Sequence, residues 1–247
     1  MTGHEHGPRP SVPTGADTSS DGDELVVLTE WESKALLPGL PRPTEALTRS
    51  PDEALRFARS VGAPVVAKAS GPAHKSDEGL VRLGLDPDAL AACWSELAGA
   101  GDGTVLVAEM VATGLELIVG GIRDPQWGPT VTVGLGGVLT EVLSDVVTLL
   151  SPVEPGEMER ALSELAAAPL LGGYRGSPPV PLAELASIVH LVSDLMEANH
   201  RVAEIDLNPV AMVGDHLMAL DALVVVTHDG HDPTNDHVAT PGGRAKL

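Results

Sequence analysis

Residues 64–81 read PVVAKASGPAHKSDEGLV. The opening PVVAK has the short, β-branched, apolar character of a buried strand, and it ends on Lys68. A polar turn follows, carrying His74, Lys75, Ser76, Asp77 and Gly79. Lysine is scarce: among 15 basic residues only Lys34, Lys68, Lys75 and Lys246 are lysines, and two of these fall in this segment. A strand that delivers one ammonium group and a glycine-containing turn that delivers another, with backbone N–H donors between them, can surround a polyphosphate. A solvated surface loop accounts for the same residues, since the spacing is not that of a Walker loop.

Helix and strand signals alternate on both sides of this segment. Upstream, SPDEALRFARSVG has Ser50 as a cap, Pro51 at the first helical position, Glu53 to complete a capping box and Gly62 as the stop. Downstream, DPDALAACWSELAG repeats the pattern, with Asp86 as cap and Leu90, Cys93, Trp94 and Leu97 on one face, which makes Cys93 a core residue. TVLVAEM, LELIVGGI and PTVTVGLGG then read as strands, followed by helices near residues 155–167 and 182–199. RVAEIDLNPV and HLMALDALVVV close the body as two strands joined by a tight turn at Gly214 and Asp215. The class is mixed α/β. Residues 1–23 and 228–247 are polar, rich in small residues and without apolar periodicity, so they are expected to be a disordered leader and a flexible tail.

Composition narrows the function. The chain has 247 residues, 43% of them apolar, enough for a substantial core. With 35 acidic against 15 basic residues the net charge is −20, which disfavours nucleic acid and anionic membrane as partners. Cys93 is the only cysteine, so no intrachain disulfide forms, and the absence of an apolar run of signal or spanning length points to the cytoplasm.

Two further constellations carry chemistry. In an extended EIDLNPV, Glu204, Asp206 and Asn208 share one face, and Asp221 interrupts the next apolar run. If the two strands form a hairpin, Asp221 returns beside Asn208, giving an oxygen-only cluster of the kind that suits Mg²⁺. A solvent-facing edge strand with one salt-bridged aspartate is the plain alternative. In GLGGVLTEVLSDV, Gly134, Gly136 and Gly137 could let backbone approach an anionic ligand, and Glu141 and Asp145 lie four apart. Glu109 and Glu116, in or beside apolar strands, could serve a nucleotide's amino group or ribose hydroxyls, and each equally reads as an edge-strand carboxylate.

Taken in order, PVVAK, HKSDEGLV, residues 109–146 from EMVATGLELIV to TEVLSDV, LLGGYRGSPP, EIDLNPV and ALDALV resemble the ATP-grasp domain of NDP-forming acyl-CoA synthetases, relatives of the succinyl-CoA synthetase β subunit. The resemblance implies an ATP-grasp fold of two α/β subdomains over residues 24–227, the smaller at about 41–104 and the larger at about 24–40 plus 105–227. It implies that Lys68 holds the phosphates of ATP with Lys75 adding charge, and that the loop around Gly79 covers them. Glu109 and Met110 would lie at the adenine hinge and Glu116 near the ribose. Asn208 and Asp221 would ligate Mg²⁺ with Asp206 as a third contributor. His74 resembles a transiently phosphorylated histidine. Gly136, Gly137 and Arg175 would face the travelling phosphate, and Glu141 joins His74 and Arg175 as a candidate catalytic residue.

The reaction implied makes an acyl-CoA from a carboxylic acid, CoA and ATP through an acyl phosphate. It needs a CoA-binding and ligase module that this length does not house, so an α-type partner subunit and a hetero-oligomer are expected, with CoA and the acid reached through that partner. Leu80 stands where relatives carry a second glycine, and Leu149 where they commonly carry arginine. These departures keep a nucleotide-sensing or assembly subunit without turnover in view, beside a stand-alone carboxylate–amine ligase as the other enzyme reading.

Overall fold

The computed structural model describes residues 24–62, 64–71, 80–137, 145–174 and 176–228. The chain divides into a body, Val27–Val226, and a second unit formed by its two ends. After β1 (Glu24–Val27), the body opens with α1 (Glu30–Ala35). Thr29 caps that helix: its hydroxyl accepts from Glu32 N, and the Glu32 carboxylate accepts from Thr29 N, a complete capping box.

A four-stranded antiparallel sheet follows, in the order β2 (Glu45–Thr48), β5 (Val105–Glu109), β3 (Val65–Ala69), β4 (Val81–Leu85). Helices α2 (Pro51–Val61) and α3 (Pro87–Gly99) pack against it. Val65, Ala67, Ala69, Val105 and Val107 meet Ala54, Ala58, Leu90, Trp94 and Leu97 in one buried cluster. Strand alternation therefore turns Val66 and Lys68 to the other face. Each fully buried Val or Leu here contributes roughly 1.5–3 kcal/mol of transfer free energy. The Trp94 indole N–H is satisfied by Thr48 Oγ1 at 3.0 Å, and that hydroxyl donates to Val105 O at 2.8 Å.

Three expectations need adjustment. Ser50 caps α2 as read, but the Glu53 carboxylate accepts from Arg49 N at 2.7 Å, so the Ser50 motif is only half a capping box. Val105–Glu109 pairs with β2 and β3, so it belongs with the smaller sheet instead of starting the larger subdomain. The helix expected near 155–167 is two short ones, α4 (Glu157–Leu162) and α5 (Ala168–Leu171). Pro169 has no N–H to continue a helix, and the Asp145 carboxylate takes the N–H groups of Ala166 and Ala167 at 3.2 and 2.7 Å.

The larger sheet is also antiparallel and runs β11 (Leu223–His228), β9 (Val202–Val213), β6 (Glu116–Asp124), β7 (Gly128–Leu135), β8 (Val146–Leu150), with β10 (His216–Ala219) on β9. Helix α6 (Leu182–Ala198) packs on β6, β7 and β9. Its Leu185, Ile188, Val189, Val192 and Met196 are buried with Val119, Val131, Ile205 and Leu207. The close approach is made at Gly121, where a Cβ would stand 2.9 Å from Val192 Cγ1 and 3.2 Å from Met196 Cγ. Among the described residues no helix is long and apolar enough to cross a membrane.

Candidate functional site

Lys68 is 8% exposed, at the end of β3 on the face away from α2 and α3. A lone ammonium group there would lose several kcal/mol of hydration. Its partners supply the compensation: Nζ donates to Glu30 Oε1 at 2.7 Å and to Leu220 O at 2.8 Å, with Asp221 Oδ1 at 3.9 Å. Glu30 Oε1 also accepts from Lys34 Nζ at 2.8 Å, and Lys34 donates in turn to Glu45 Oε2 at 2.7 Å. Glu30 and Lys34 are 4% and 2% exposed. For Lys34 the largest influence is burial, which favours the neutral amine, but attraction and hydrogen bonds from Glu30 and Glu45 outweigh it and raise the pKa. Glu45 Oε1 has no hydrogen bond, although Arg42 Nε lies 3.5 Å away as an ion pair.

The run HLMALDALVVV is one strand direction broken in the middle. β10 pairs with β9 up to Ala219 opposite Val210, and Leu220 N donates to Pro209 O at 2.9 Å. β11 resumes at Leu223 opposite Asp206. The break at 220–222 therefore lies against Asn208, where β9 also shifts register against β6. A break of this kind releases backbone groups from the ladder and re-aims side chains. The released Leu220 carbonyl is the one that meets Lys68, and Asp221 is the next residue.

The expected alternation along β9 holds. Ile205 and Leu207 are buried in the core, while Glu204 and Asp206 are half-buried and Asn208 exposed on the opposite face. Asp206 lies across from Gly120 and Leu223. Burial raises its carboxyl pKa, and burial followed by repulsion from Asp206 raises that of Glu204. Carboxylates with that cost fit a site that receives a cation. Among the described residues no three His, Cys, Asp or Glu side chains form a ready metal cage. Asn208, Asp221 and Asp206 are oxygen donors of the kind that could hold Mg²⁺, an ion bound through one or two carboxylates with water and phosphate completing its shell.

A cavity of about 270 Å³ opens beside Lys68, and its walls include Glu109, Met110, Glu116 and Leu220. Glu109 ends β5 and Met110 follows it, with their N–H groups engaged by Thr44 O at 2.8 Å and Pro64 O at 3.2 Å, so neither N–H is available to a ligand. Gly136 N donates to Glu116 O at 2.8 Å, and a Cβ on Gly136 would lie 2.9 Å from the Leu117 carbonyl carbon and oxygen. A Cβ on Gly137, whose φ is +64°, would lie 2.7 Å from Glu116 Oε2. The two glycines thus let the chain pass directly over Glu116.

Comparison with known proteins places this arrangement. The ATP-grasp domain family model matches residues 21–226. The chain belongs to the ATP-grasp family. It is 35% identical to the β subunit of ADP-forming acetate–CoA ligase I of Pyrococcus furiosus over 212 residues, covering 81% of this chain and 91% of that one. It is 39% identical over 233 residues to a trans-feruloyl-CoA synthase of an unknown prokaryotic organism, covering 88% of this chain but only 32% of that longer protein. Among solved structures, acetyl-coenzyme A synthetase 1 of Ca. Korarchaeum cryptofilum, in complex with coenzyme A and Mg-AMPPCP and with its phosphohistidine segment pointing towards the nucleotide-binding site, superposes with a TM-score of 0.70 at 34% identity. That match covers 80% of this chain and 91% of that one.

In this ATP-grasp domain, then, Lys68, Glu109, Met110 and Glu116 line one cavity, Asp221 approaches Lys68 from the strand break, and Gly136 and Gly137 back Glu116. His74, Lys75, Gly79, Glu141 and Arg175 lie outside the described residues. Two residues escaped the sequence reading: Glu30 and Lys34, which share an ion pair with each other and, through Glu30, with Lys68. The signal was present in the Thr29–Glu32 capping box and the i,i+4 spacing of Glu30 and Lys34, which mark a helix start with a charge pair. Nothing local shows that the pair is buried.

Proposed function

We propose that this chain is the ATP-binding β-type subunit of an ADP-forming acyl-CoA ligase, working in the cytoplasm with a separate α-type subunit that brings CoA and the carboxylic acid. The observation that carries this reading is the cavity itself: a buried lysine, two carboxylates and a thioether side chain converge next to the strand break that bears Asp221. The relatives named for ADP-forming acyl-CoA ligation, one of them a β subunit of nearly the same extent, support it.

Lys68 holds phosphate oxygens, with Lys75 adding charge and the Gly79 loop above. Glu109 accepts from the base amino group beside Met110, and Glu116 accepts from ribose hydroxyls. Asn208 and Asp221, with Asp206, would hold Mg²⁺, which supplies charge neutralisation for the phosphates. His74 accepts the γ-phosphoryl: a bond from its ring nitrogen to phosphorus forms as the bond from phosphorus to the ADP oxygen breaks. The bond from phosphorus to His74 then breaks as a bond to a histidine of the partner forms, and that bond breaks in turn as a carboxylate oxygen of the acid takes the phosphoryl to give the acyl phosphate. The acyl phosphate then yields acyl-CoA and phosphate when the CoA thiol attacks. Arg175, Glu141 and the glycines Gly136 and Gly137 attend that transfer. Such chemistry depends on positioning and charge compensation more than on covalent assistance.

The test is to combine the full chain with its α-type partner, Mg-ATP, CoA and a panel of short and aromatic carboxylic acids, and to follow CoA thioester and ADP together. Stoichiometric thioester and ADP, lost in His74→Ala, is the expected result. Absence of thioester with every acid, joined to absence of Mg-ATP binding by calorimetry, overturns the reading. Turnover without CoA or partner, undiminished in His74→Ala, would replace it with a stand-alone ligase.

A further inference from the structure

We infer that Glu30 is the positioning residue for Lys68: one carboxylate oxygen, buried in the first turn of α1, fixes where the nucleotide-facing ammonium stands. The inference rests on the reading of Lys68 as a phosphate contact and extends it to a residue on a different element.

The geometry is specific. Lys68 reaches the cavity on a long flexible side chain, and such a chain left unanchored would spread its charge over several rotamers. Two of its three N–H groups are fixed, one by Glu30 Oε1 at 2.7 Å and one by Leu220 O at 2.8 Å. These anchors come from unrelated parts of the chain, α1 and the strand break of the larger sheet. Glu30 is itself held: the same Oε1 accepts from Lys34 at 2.8 Å, and Lys34 is held by Glu45 at 2.7 Å on β2 of the smaller sheet. The oxygen therefore sits in a frame made by α1 and β2, and Lys68 is built against that frame. Position, more than charge, is what this frame supplies, because Lys34 already compensates the Glu30 carboxylate that Lys68 shares.

A distinction follows between oxygen and charge at residue 30. Glu30→Gln keeps an oxygen at the same reach and loses the charge. Glu30→Asp keeps the charge and withdraws the oxygen by one methylene. Glu30→Ala loses both. Positioning predicts that Mg-ATP affinity of the full chain, measured by titration calorimetry, falls at least about tenfold in Glu30→Asp and Glu30→Ala and stays within about threefold of the parent in Glu30→Gln. Lys34→Met loosens the frame while leaving Glu30 Oε1 bonded to Lys68, so it lowers the melting temperature and weakens Mg-ATP affinity less than Glu30→Asp does. Because Glu30→Ala leaves buried cations short of a partner and can fail to fold, Glu30→Ala with Lys34→Met removes one charge of each sign and keeps that arm measurable.

The outcomes separate cleanly. If Lys68→Ala binds Mg-ATP as the parent does, the nucleotide reading of Lys68 falls and this inference falls with it. If Lys68→Ala loses affinity while Glu30→Asp and the Glu30→Ala, Lys34→Met double variant keep it, the reading stands and Glu30 is structural only. If Glu30→Asp keeps affinity and Glu30→Gln loses it, charge and not position is the contribution, and the inference is overturned.

Discussion

Lys68 Nζ lies 2.8 Å from the carbonyl oxygen of Leu220, so a residue of the four-stranded sheet is hydrogen-bonded to the break between β10 and β11 of the larger sheet. Asp221, the next residue, lies 3.9 Å from the same ammonium group, in the strand break that faces Asn208 of β9. The phosphate and metal sides of the proposed site are thus joined by a hydrogen bond from a side chain of one sheet to the backbone of the other.

Asp221→Ala should therefore weaken Mg²⁺-dependent binding selectively. Loss of one carboxylate ligand is expected to raise the Mg²⁺ concentration needed for half-maximal ATP binding about tenfold, equivalent to about 1.4 kcal/mol. Titrating Mg²⁺ at fixed ATP measures it, and an unchanged Mg²⁺ requirement would remove Asp221 from the metal side.

Gly136→Ala should disturb Glu116 through the backbone. The added Cβ meets the Leu117 carbonyl at 2.9 Å, and backbone cannot move aside as a side-chain tip can. A stability loss of about 1–3 kcal/mol is expected, together with weaker nucleotide binding. Gly156→Ala, where a Cβ would meet nothing within 4 Å but φ is +78°, separates local backbone strain from damage at Glu116, and should leave nucleotide affinity unchanged.

The pH dependence of stability should carry the mark of β9. Asp206 and Glu204 have raised pKa values in the folded chain, chiefly from burial. Their contribution is favourable below the ordinary carboxylate range, where both are protonated in either state, and is lost as pH rises through the folded values. Without ligand, Asp206→Asn should flatten the decline in melting temperature on the alkaline side of that window. With Mg-ATP present the parent should gain more stability than the variant. Equal ligand-induced shifts in the two proteins would place Asp206 outside the cation site.

Arg123→Ala should loosen the end of α6. The Arg123 guanidinium donates to the carbonyls of Met196 and, at 3.2 Å, Asn199, which the helix terminus leaves without intrahelical partners, and to that of Val202 at 3.2 Å at the start of β9. A loss of about 1–3 kcal/mol by chemical denaturation is expected, with Arg123→Lys restoring only part of it because an ammonium group lacks the planar fork.

Much of the fold was legible because its signals are local. Ser50 and Asp86 cap the helices they precede, and Leu90, Trp94 and Leu97 are buried as their spacing predicts, while Cys93, read as core on the same face, is only partly buried at its margin. The alternation in EIDLNPV separates Ile205 and Leu207 from Glu204 and Asp206 as a period of two requires. Where the reading went astray, a neighbour competed for a local bond. Glu53 turned to Arg49 N, and Asp145 took the N–H groups that would have continued α4.

By itself, then, the sequence determined the caps, the strand faces and the order of segments that identifies an ATP-grasp domain, whereas the passage of Gly136 and Gly137 over Glu116 came only with the tertiary structure. Tertiary structure alone decided that Lys68 shares an oxygen of Glu30 with Lys34, and that its other anchor is a carbonyl freed by a broken strand. Those partners lie 38 and 152 residues from Lys68. Capping and periodicity act within a turn or a strand, so they can be read along the chain. A buried charge finds its partner only when separate elements stack and water is excluded, and that partner is set by packing rather than by spacing.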